Sequence, residues 1–455
     1  MFERYRVIHF VGIGGIGMSG IAEVLYNLGY EVTGSDLRIG ETAERLIGMG
    51  ITVHEGHRAE NINGAHVVVV SSAVKPDNPE VIEAVRRSVP VIPRAEMLAE
   101  LGRLKYAVLV AGAHGKTTTT SIVATILARA GFDPTVVIGG KLKAFGTNAR
   151  LGRGEFMVAE ADESDGSFLK LNPTIGVVTN IDREHMEHFK TMDALKAAFL
   201  EFMNKVPFYG VSVLCIDDPN VRELAHSVHR KVFTYGLSAD AELRASNLKK
   251  GFMSVEFDVA LKGRPLGRFT IPASGEHNVR NTLAGIAVAL ELQVPVERIR
   301  EALAGFEGIQ RRFELKGEAR GVTVYDDYGH HPTEIKATLS AAKDALGDRR
   351  LVVIFQPHRY TRTRDLMDEF AQAFEGAADV LICTEIYPAG EQPIEGVTTG
   401  ALIKKIKGEV HIAKYPHEAA AIALGIVRPG DVVLTLGAGN IYTAGEELLR
   451  ELGNA

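Results

Sequence analysis

At 455 residues the chain exceeds what one ordinary hydrophobic core organises, and its length predicts about three domains. With 46% hydrophobic and 24% charged residues it has the make-up of a globular protein rather than a disordered one. A formal net charge of -6 supplies no basic field for a nucleic-acid backbone, which excludes nucleic acid as an expected partner. Cys215 and Cys383 stand far apart, outside any disulfide or zinc-ligand spacing. No leader pattern precedes the first strand-like run, and no apolar stretch approaches the ~18 residues of a spanning helix. A cytoplasmic location without membrane contact is the expectation.

Strand-like runs alternate with helical periodicity throughout, which predicts α/β layers on mainly parallel sheets. The first block opens with a strand at Val7 to Val11, a glycine turn, a helix ending near Gly29 and a strand at Glu31 to Gly34. It closes around Pro93 to Arg103. A second block starts with the strand Tyr106 to Val110, another glycine turn, and a helix from about Thr117 to Arg129 that Gly131 stops. Short buried strands follow at Phe156 to Ala159 and Ile175 to Thr179, with Glu160, Asn180 and Asp182 at their C-terminal ends, where open α/β sheets bind ligands. Leu195, Phe199, Phe202 and Met203 mark the core face of a helix. The third block carries strands at Val322 to Tyr325, Leu351 to Phe355, Val380 to Thr384 and Val432 to Leu436. The expected domains are 1–103, 104–308 and 309–455.

Two glycine turns carry the clearest chemistry. Gly12-Ile13-Gly14-Gly15-Ile16-Gly17 lies between a strand and a helix, with Asp36 ending the next strand. Converging amides and absent side chains suit a diphosphate there, without saying whose. Gly112-Ala113-His114-Gly115-Lys116-Thr117-Thr118 adds a lysine charge and threonine hydroxyls to the amides, the set a nucleoside triphosphate and its magnesium require. The spacing is shorter than a Walker A loop, since the position of its first glycine carries Val110. Glu160, leading the acidic run Asp162, Glu163 and Asp165, suits a hard cation, although spacing does not rank the three acids that follow it. His185 and His188 lie three apart, but no cysteine or third histidine completes a zinc set.

Weaker clusters are Gly275-Glu276-His277-Asn278-Val279-Arg280-Asn281, Arg311-Arg312-Phe313-Glu314 and Asp326-Asp327-Tyr328-Gly329-His330-His331-Pro332. The two adjacent histidines serve either as helix caps or as ligand contacts. Gln356-Pro357-His358-Arg359-Tyr360-Thr361-Arg362-Thr363-Arg364 gathers three arginines and a histidine at a strand end, which suits an anionic ligand.

These motifs, taken in order, make the whole chain resemble the Mur ligases of bacterial cell-wall synthesis, most closely the branch that adds L-alanine to UDP-N-acetylmuramate. The resemblance implies an N-terminal Rossmann-like UDP-binding domain, a central P-loop ATPase-like domain and a C-terminal Rossmann-like domain that closes over both. It implies UDP-sugar contacts at Gly14, Gly15, Ile16, Gly17, Asp36, Ser71 and Ser72. ATP contacts are implied at Gly112 to Thr118, Asn278, Asn281, Arg312 and Asp327. By the same resemblance Lys116, Glu160 and His185 would take catalytic roles, with Thr117, Glu160 and His185 holding Mg2+. The resemblance also implies that His358, Arg359 and Arg362 meet the muramoyl carboxylate or the amino acid. Many family members carry a carbamoylated lysine downstream of His185; here Phe199 or Leu200 occupies that register and Lys196 lies about one turn early. A monomer or weak homodimer is expected. The competing expectations are a ligase that attaches a recycled tripeptide, an NAD-dependent dehydrogenase resting on the first turn and Asp36, and a noncatalytic nucleotide sensor.

Overall fold

The computed structural model describes residues 6–71, 73–103, 105–142, 147–251, 253–347 and 349–454. Three sheets organise them. In the first, β1 (Val7–Val11), β2 (Glu31–Asp36), β3 (Thr52–Glu55), β4 (Val67–Val70) and β5 (Val91–Pro93) run parallel in the order β3-β2-β1-β4-β5. Order reverses beside β1, so the glycine turn leaving β1 sits at the switch point where such sheets open a crevice.

The second sheet has ten strands: β6 (Tyr106–Ala111), β7 (Thr135–Leu142), β8 (Thr147–Arg150), β9 (Phe156–Glu160), β10 (Ile175–Val178), β11 (Val211–Cys215), β12 (Val232–Gly236), β13 (Leu243–Gly251), β14 (Ser254–Leu261) and β15 (Arg264–Ile271). Their order is β15-β14-β13-β12-β11-β10-β6-β9-β7-β8. Parallel β6 lies between β9 and β10, so the loop leaving β6 is flanked by the C-terminal ends of both. The third sheet orders β16 (Glu314–Ala319), β17 (Val322–Asp327), β18 (Leu351–Phe355), β19 (Val380–Cys383), β20 (Val410–Ile412) and β21 (Val432–Leu436) as β16-β17-β21-β18-β19-β20. It is parallel except for the β16–β17 pair.

By compactness the chain forms two units, one of Met1–Leu248, Glu256–Pro272 and Asn278–Gly308, the other of Lys249–Val255, Ala273–His277 and Ile309–Ala455. In the first, Leu195, Phe199, Phe202 and Met203 form the buried face of helix Met192–Asn204, as their spacing predicts. Phe168 stacks on Phe202 and meets Phe199 edge-on, both at 5.3 Å between ring centres. Each such buried ring contributes about 1.5–3 kcal/mol of apolar burial, enough to anchor the acidic segment that precedes Phe168. Four consecutive threonines are mediocre helix formers, yet they open helix Lys116–Arg129 because its body is buried all round from Thr119 to Leu127. In the second unit, Val353, Phe355, Phe370 and Leu434 lie in the core over the sheet. Among the described residues no helix is long and apolar enough to cross a membrane.

Candidate active site

The loop between β6 and helix Lys116–Arg129 is tied down by the end of β10. The amide of His114 donates to Asn180 Oδ1 at 2.8 Å, while Thr179 Oγ1 and Asn180 Nδ2 donate to the His114 carbonyl at 2.7 and 2.9 Å. His114 Nε2 lies 2.9 Å from Asp182 Oδ2. Gly112 adopts φ +135°, and an added Cβ would stand 2.1 Å from Thr179 Oγ1 and 3.0 Å from the Asn180 carbonyl. Only glycine fits. At Gly115 an added Cβ would stand 2.6 Å from Asn281 Oδ1, which also accepts from Thr119 Oγ1 at 3.2 Å. Asn278 is the neighbour of Asn281, 3.4 Å away between side chains. The structure therefore brings the helix start that carries Asn278 and Asn281 onto the loop, two segments more than 150 residues apart in sequence.

Lys116 folds back over this loop. Its Nζ donates to the Gly112 carbonyl at 2.6 Å, the Ala113 carbonyl at 3.3 Å, and both oxygens of Glu163 at 2.9 Å. Burial alone would lower the lysine's proton affinity, but the Glu163, Asp162 and Glu184 carboxylates outweigh it and hold the ammonium charged. Burial raises the pKa of Glu163 against the attraction of Lys116. Glu163, not separable from its neighbours by spacing, is thus the acid that meets the loop lysine. Glu160 ends β9 opposite Val110 of β6, at the strand end where the loop begins.

Beside this pair, ligand atoms of Glu163, Glu184 and His185 lie within 4.8 Å of one another. Two carboxylates and an imidazole are a donor set that fits a divalent cation. His185 takes a left-handed conformation, φ 56°, uncommon for a residue with a side chain and a feature that clusters at functional sites. His188 packs elsewhere: its Nε2 would stand 2.8 Å from a Cβ at Gly166. Thr117 and Thr118 sit in the first helical turn.

Around the first glycine turn, Gly14 N donates to Asp36 Oδ2 at 2.8 Å, so the acid at the end of β2 is engaged by the turn itself. Gly15 caps the helix Ile16–Asn27, and Ser71 Oγ lies 3.2 Å from where a Gly12 Cβ would stand. Ser72 lies outside the described residues. Beneath the turn is a group that sequence reading missed. The Ser35 carbonyl accepts from Gly12 N and Ile13 N at 2.8 and 3.0 Å, and Ser35 Oγ donates to Glu80 Oε2 at 2.6 Å. Asn61 Nδ2 donates to Glu80 Oε1 at 2.5 Å, with His57 Nδ1 at 3.2 Å and His9 Nε2 at 3.7 Å. The Glu80 carboxyl is fully buried, which by itself would raise its pKa; His9, Ser35 and Asn61 instead pull it down to about 2. Asn78-Pro79-Glu80 reads in sequence as a helix start, which it is, and that signal says nothing of a buried acid.

The second unit holds the remaining predicted residues. Asp327 accepts from Phe313 N and Gly329 N, both at 2.8 Å. Burial, opposed by the Arg312 guanidinium, raises its pKa to about 6. Of the adjacent arginines, Arg311 is committed to the scaffold: it donates to Asp326 and to the Gly437 and Gly439 carbonyls, between the rings of Tyr328 and Tyr442. Arg312 lies over Tyr328 and 3.7 Å from Glu334. His331 caps helix Pro332–Leu346 in a capping box with Glu334, whereas the His330 ring turns to His358, 5.7 Å between centres. The pair of histidines thus splits into one cap and one ring facing the basic segment. His358 stacks flat on Tyr387, and Arg362 Nη1 donates to its Nδ1 at 3.2 Å. Burial first, then His330, Arg362 and Arg359, lower its pKa to about 3 and keep it neutral. Arg359 has φ 69° and caps the short helix that carries Arg362.

Comparison with known proteins gives one consistent family. The profile described as "Mur ligase family, catalytic domain" matches residues 7–106, "Mur ligase middle domain" residues 110–289, and "Mur ligase, glutamate ligase domain" residues 311–439. A UDP-N-acetylmuramate–L-alanine ligase from Geotalea uraniireducens is 57% identical over 99% of both chains. Among solved structures, the UDP-N-acetylmuramate-alanine ligase of Thermotoga maritima matches with TM-score 0.84 at 29% identity, over 98% of this chain and 99% of that one. A murein peptide ligase from Psychrobacter arcticus matches with TM-score 0.76 at 27% identity, over 99% of both.

Proposed function

Because the chain belongs to the Mur ligase family, we propose that it joins L-alanine to the lactoyl carboxylate of UDP-N-acetylmuramate at the expense of ATP, in peptidoglycan precursor synthesis. The observation that carries this reading is the Lys116 ammonium, seated in a glycine loop at a helix N-terminus and facing Glu163, Glu184 and His185. Full-length relatives bearing the name of that reaction support the choice of substrates. The work belongs to the cytoplasm, with residues 1–103 taking the UDP-sugar, 104–308 the ATP, and 309–455 supplying Arg312 and Asp327 to the nucleotide and His358, Arg359 and Arg362 to the acceptor.

A lactoyl carboxylate oxygen attacks the γ-phosphorus of ATP, the bond to the β-phosphate oxygen breaks, and an acyl phosphate and ADP form. The amine of L-alanine then adds to the acyl carbon, and the tetrahedral intermediate expels phosphate as the carbon–oxygen bond breaks. Bringing a carboxylate to a polyanion requires cancelled charge, which Lys116 supplies on leaving Glu163 for the phosphates. Thr117, Glu160 and His185, the holders the family resemblance implies, would hold Mg2+ beside the Glu163 and Glu184 carboxylates, where it would neutralise phosphate oxygens. The loop amides hold the triphosphate at the helix N-terminus. The amine's proton goes to an imidazole, for which His330 is the candidate that does not also hold the cation.

Phosphate release measured with UDP-N-acetylmuramate across amino acids and peptides tests the reading. L-alanine is expected to support release. Turnover with the tripeptide but not with L-alanine would select the recycling ligase, and nicotinamide-nucleotide binding without ATP turnover the dehydrogenase.

A further inference from the structure

Arg94 opens the helix Arg94–Gly102, directly after β5. Its guanidinium fills the space over the last glycine of the first turn: a Cβ at Gly17 would stand 2.7 Å from Nη1 and 3.2 Å from Cδ. The other end of the same guanidinium reaches the acidic segment after β9, where Nη2 donates to Asp162 Oδ2 at 3.1 Å. Asp162 precedes Glu163, the carboxylate that holds Lys116. One cation therefore stands between a turn built for one diphosphate and the acids that hold the lysine of the other phosphate loop. Both partners are partly exposed, Arg94 by 29% and Asp162 by 41%, so the pair is weak enough to open. A guanidinium bound to phosphate oxygens makes the stronger, two-pronged contact.

We propose that Arg94 is a positioning residue that couples the two phosphate sites, shared between Asp162 when the first turn is empty and the diphosphate of the UDP-sugar when it is filled. This rests on assigning the first turn to the UDP-sugar. When the diphosphate takes Arg94, Asp162 is left as an additional negative charge beside Glu163, and the acidic segment attracts a cation–nucleotide complex more strongly. The converse holds: a divalent cation at the acidic segment replaces the charge Arg94 supplied to Asp162 and frees the arginine for the diphosphate. Each ligand tightens the other by the same factor, as linkage requires. Exchange of one partly exposed ion pair sets that factor on the order of fivefold.

The test is calorimetric titration of Mg2+ with a nonhydrolysable ATP analogue into the full chain, with and without saturating UDP-N-acetylmuramate. Wild type, Arg94→Gln, Asp162→Asn and the double variant are compared. The wild type is expected to bind the analogue about fivefold tighter when the UDP-sugar is present. Either single variant should abolish that factor, and the double variant should lose no more. Asp162→Asn should also bind the UDP-sugar at least as tightly as wild type, because Arg94 is released to it, an outcome a merely structural ion pair does not produce. Coupling that persists in Arg94→Gln, coupling absent from the wild type, or weakened UDP-sugar binding in Asp162→Asn would each overturn the proposal while leaving the functional assignment standing. A wild type that binds no UDP-N-acetylmuramate overturns both.

Discussion

Replacing Glu80 with glutamine removes a fully buried charge from beneath the first glycine turn, and the structure sets the size of the effect. The carboxyl is drawn from an ordinary 4.5 to about 2, because contacts from His9, Ser35 and Asn61 outweigh the cost of its burial. At about 1.4 kcal/mol per tenfold change in ionisation, that depression corresponds to about 3 kcal/mol of folding free energy. The sign follows from the direction: a depressed pKa contributes stability above the unfolded value, and the contribution drains away as pH falls from about 4.5 through about 2. Ser35 links this charge to the turn, since its carbonyl holds Gly12 and Ile13 while its hydroxyl holds Glu80. The variant should therefore loosen β2 and the turn together. A chain of two compact units has no single unfolding equilibrium, so the readout is amide hydrogen exchange resolved to β2 and helix Pro79–Arg86. At pH 7 protection there should fall by on the order of 100-fold, with the wild-type advantage shrinking as the pH approaches 3. Equal protection in variant and wild type at pH 7, or an advantage that grows on acidification, would refute the reasoning.

Lys116→Ala should lose on the order of 10² to 10³ in turnover, by analogy with removing one preorganised charge-stabilising group; near wild-type phosphate release would end its assigned role. Gly112→Ala forces a Cβ against Thr179 and Asn180, so ATP-analogue binding should be largely lost in titration calorimetry. Retained affinity would show that the loop yields. His358, with its pKa lowered to about 3, should show the carbon shifts of a neutral ring at pH 5 in a histidine-labelled sample. Because that depression favours the neutral form, the second unit should lose stability as pH falls from about 6.5 towards about 3, as measured by the exchange of β18.

Periodicity, glycine spacing and the order of motifs determine the α/β class, nine of the 21 strands among the described residues, and the position of both glycine turns, because these are local properties of the backbone. The strand Val7–Val11 and the core face of helix Met192–Asn204 are legible for the same reason. Partnership across the chain is a different matter. That Glu163 rather than its acidic neighbours meets Lys116, that Asn281 closes on Gly115, and that Arg311 is committed to the scaffold through Asp326 and the Gly437 carbonyl, depend on which strand ends the fold brings together. Glu80 and Arg94 gave no signal at all. Each belongs to an ordinary helix start, and its role comes from packing against residues tens of positions away: Ser35 for Glu80, Gly17 and Asp162 for Arg94. A single chain records what each segment prefers to be, whereas the charges it must satisfy on burial are set only when the sheets assemble.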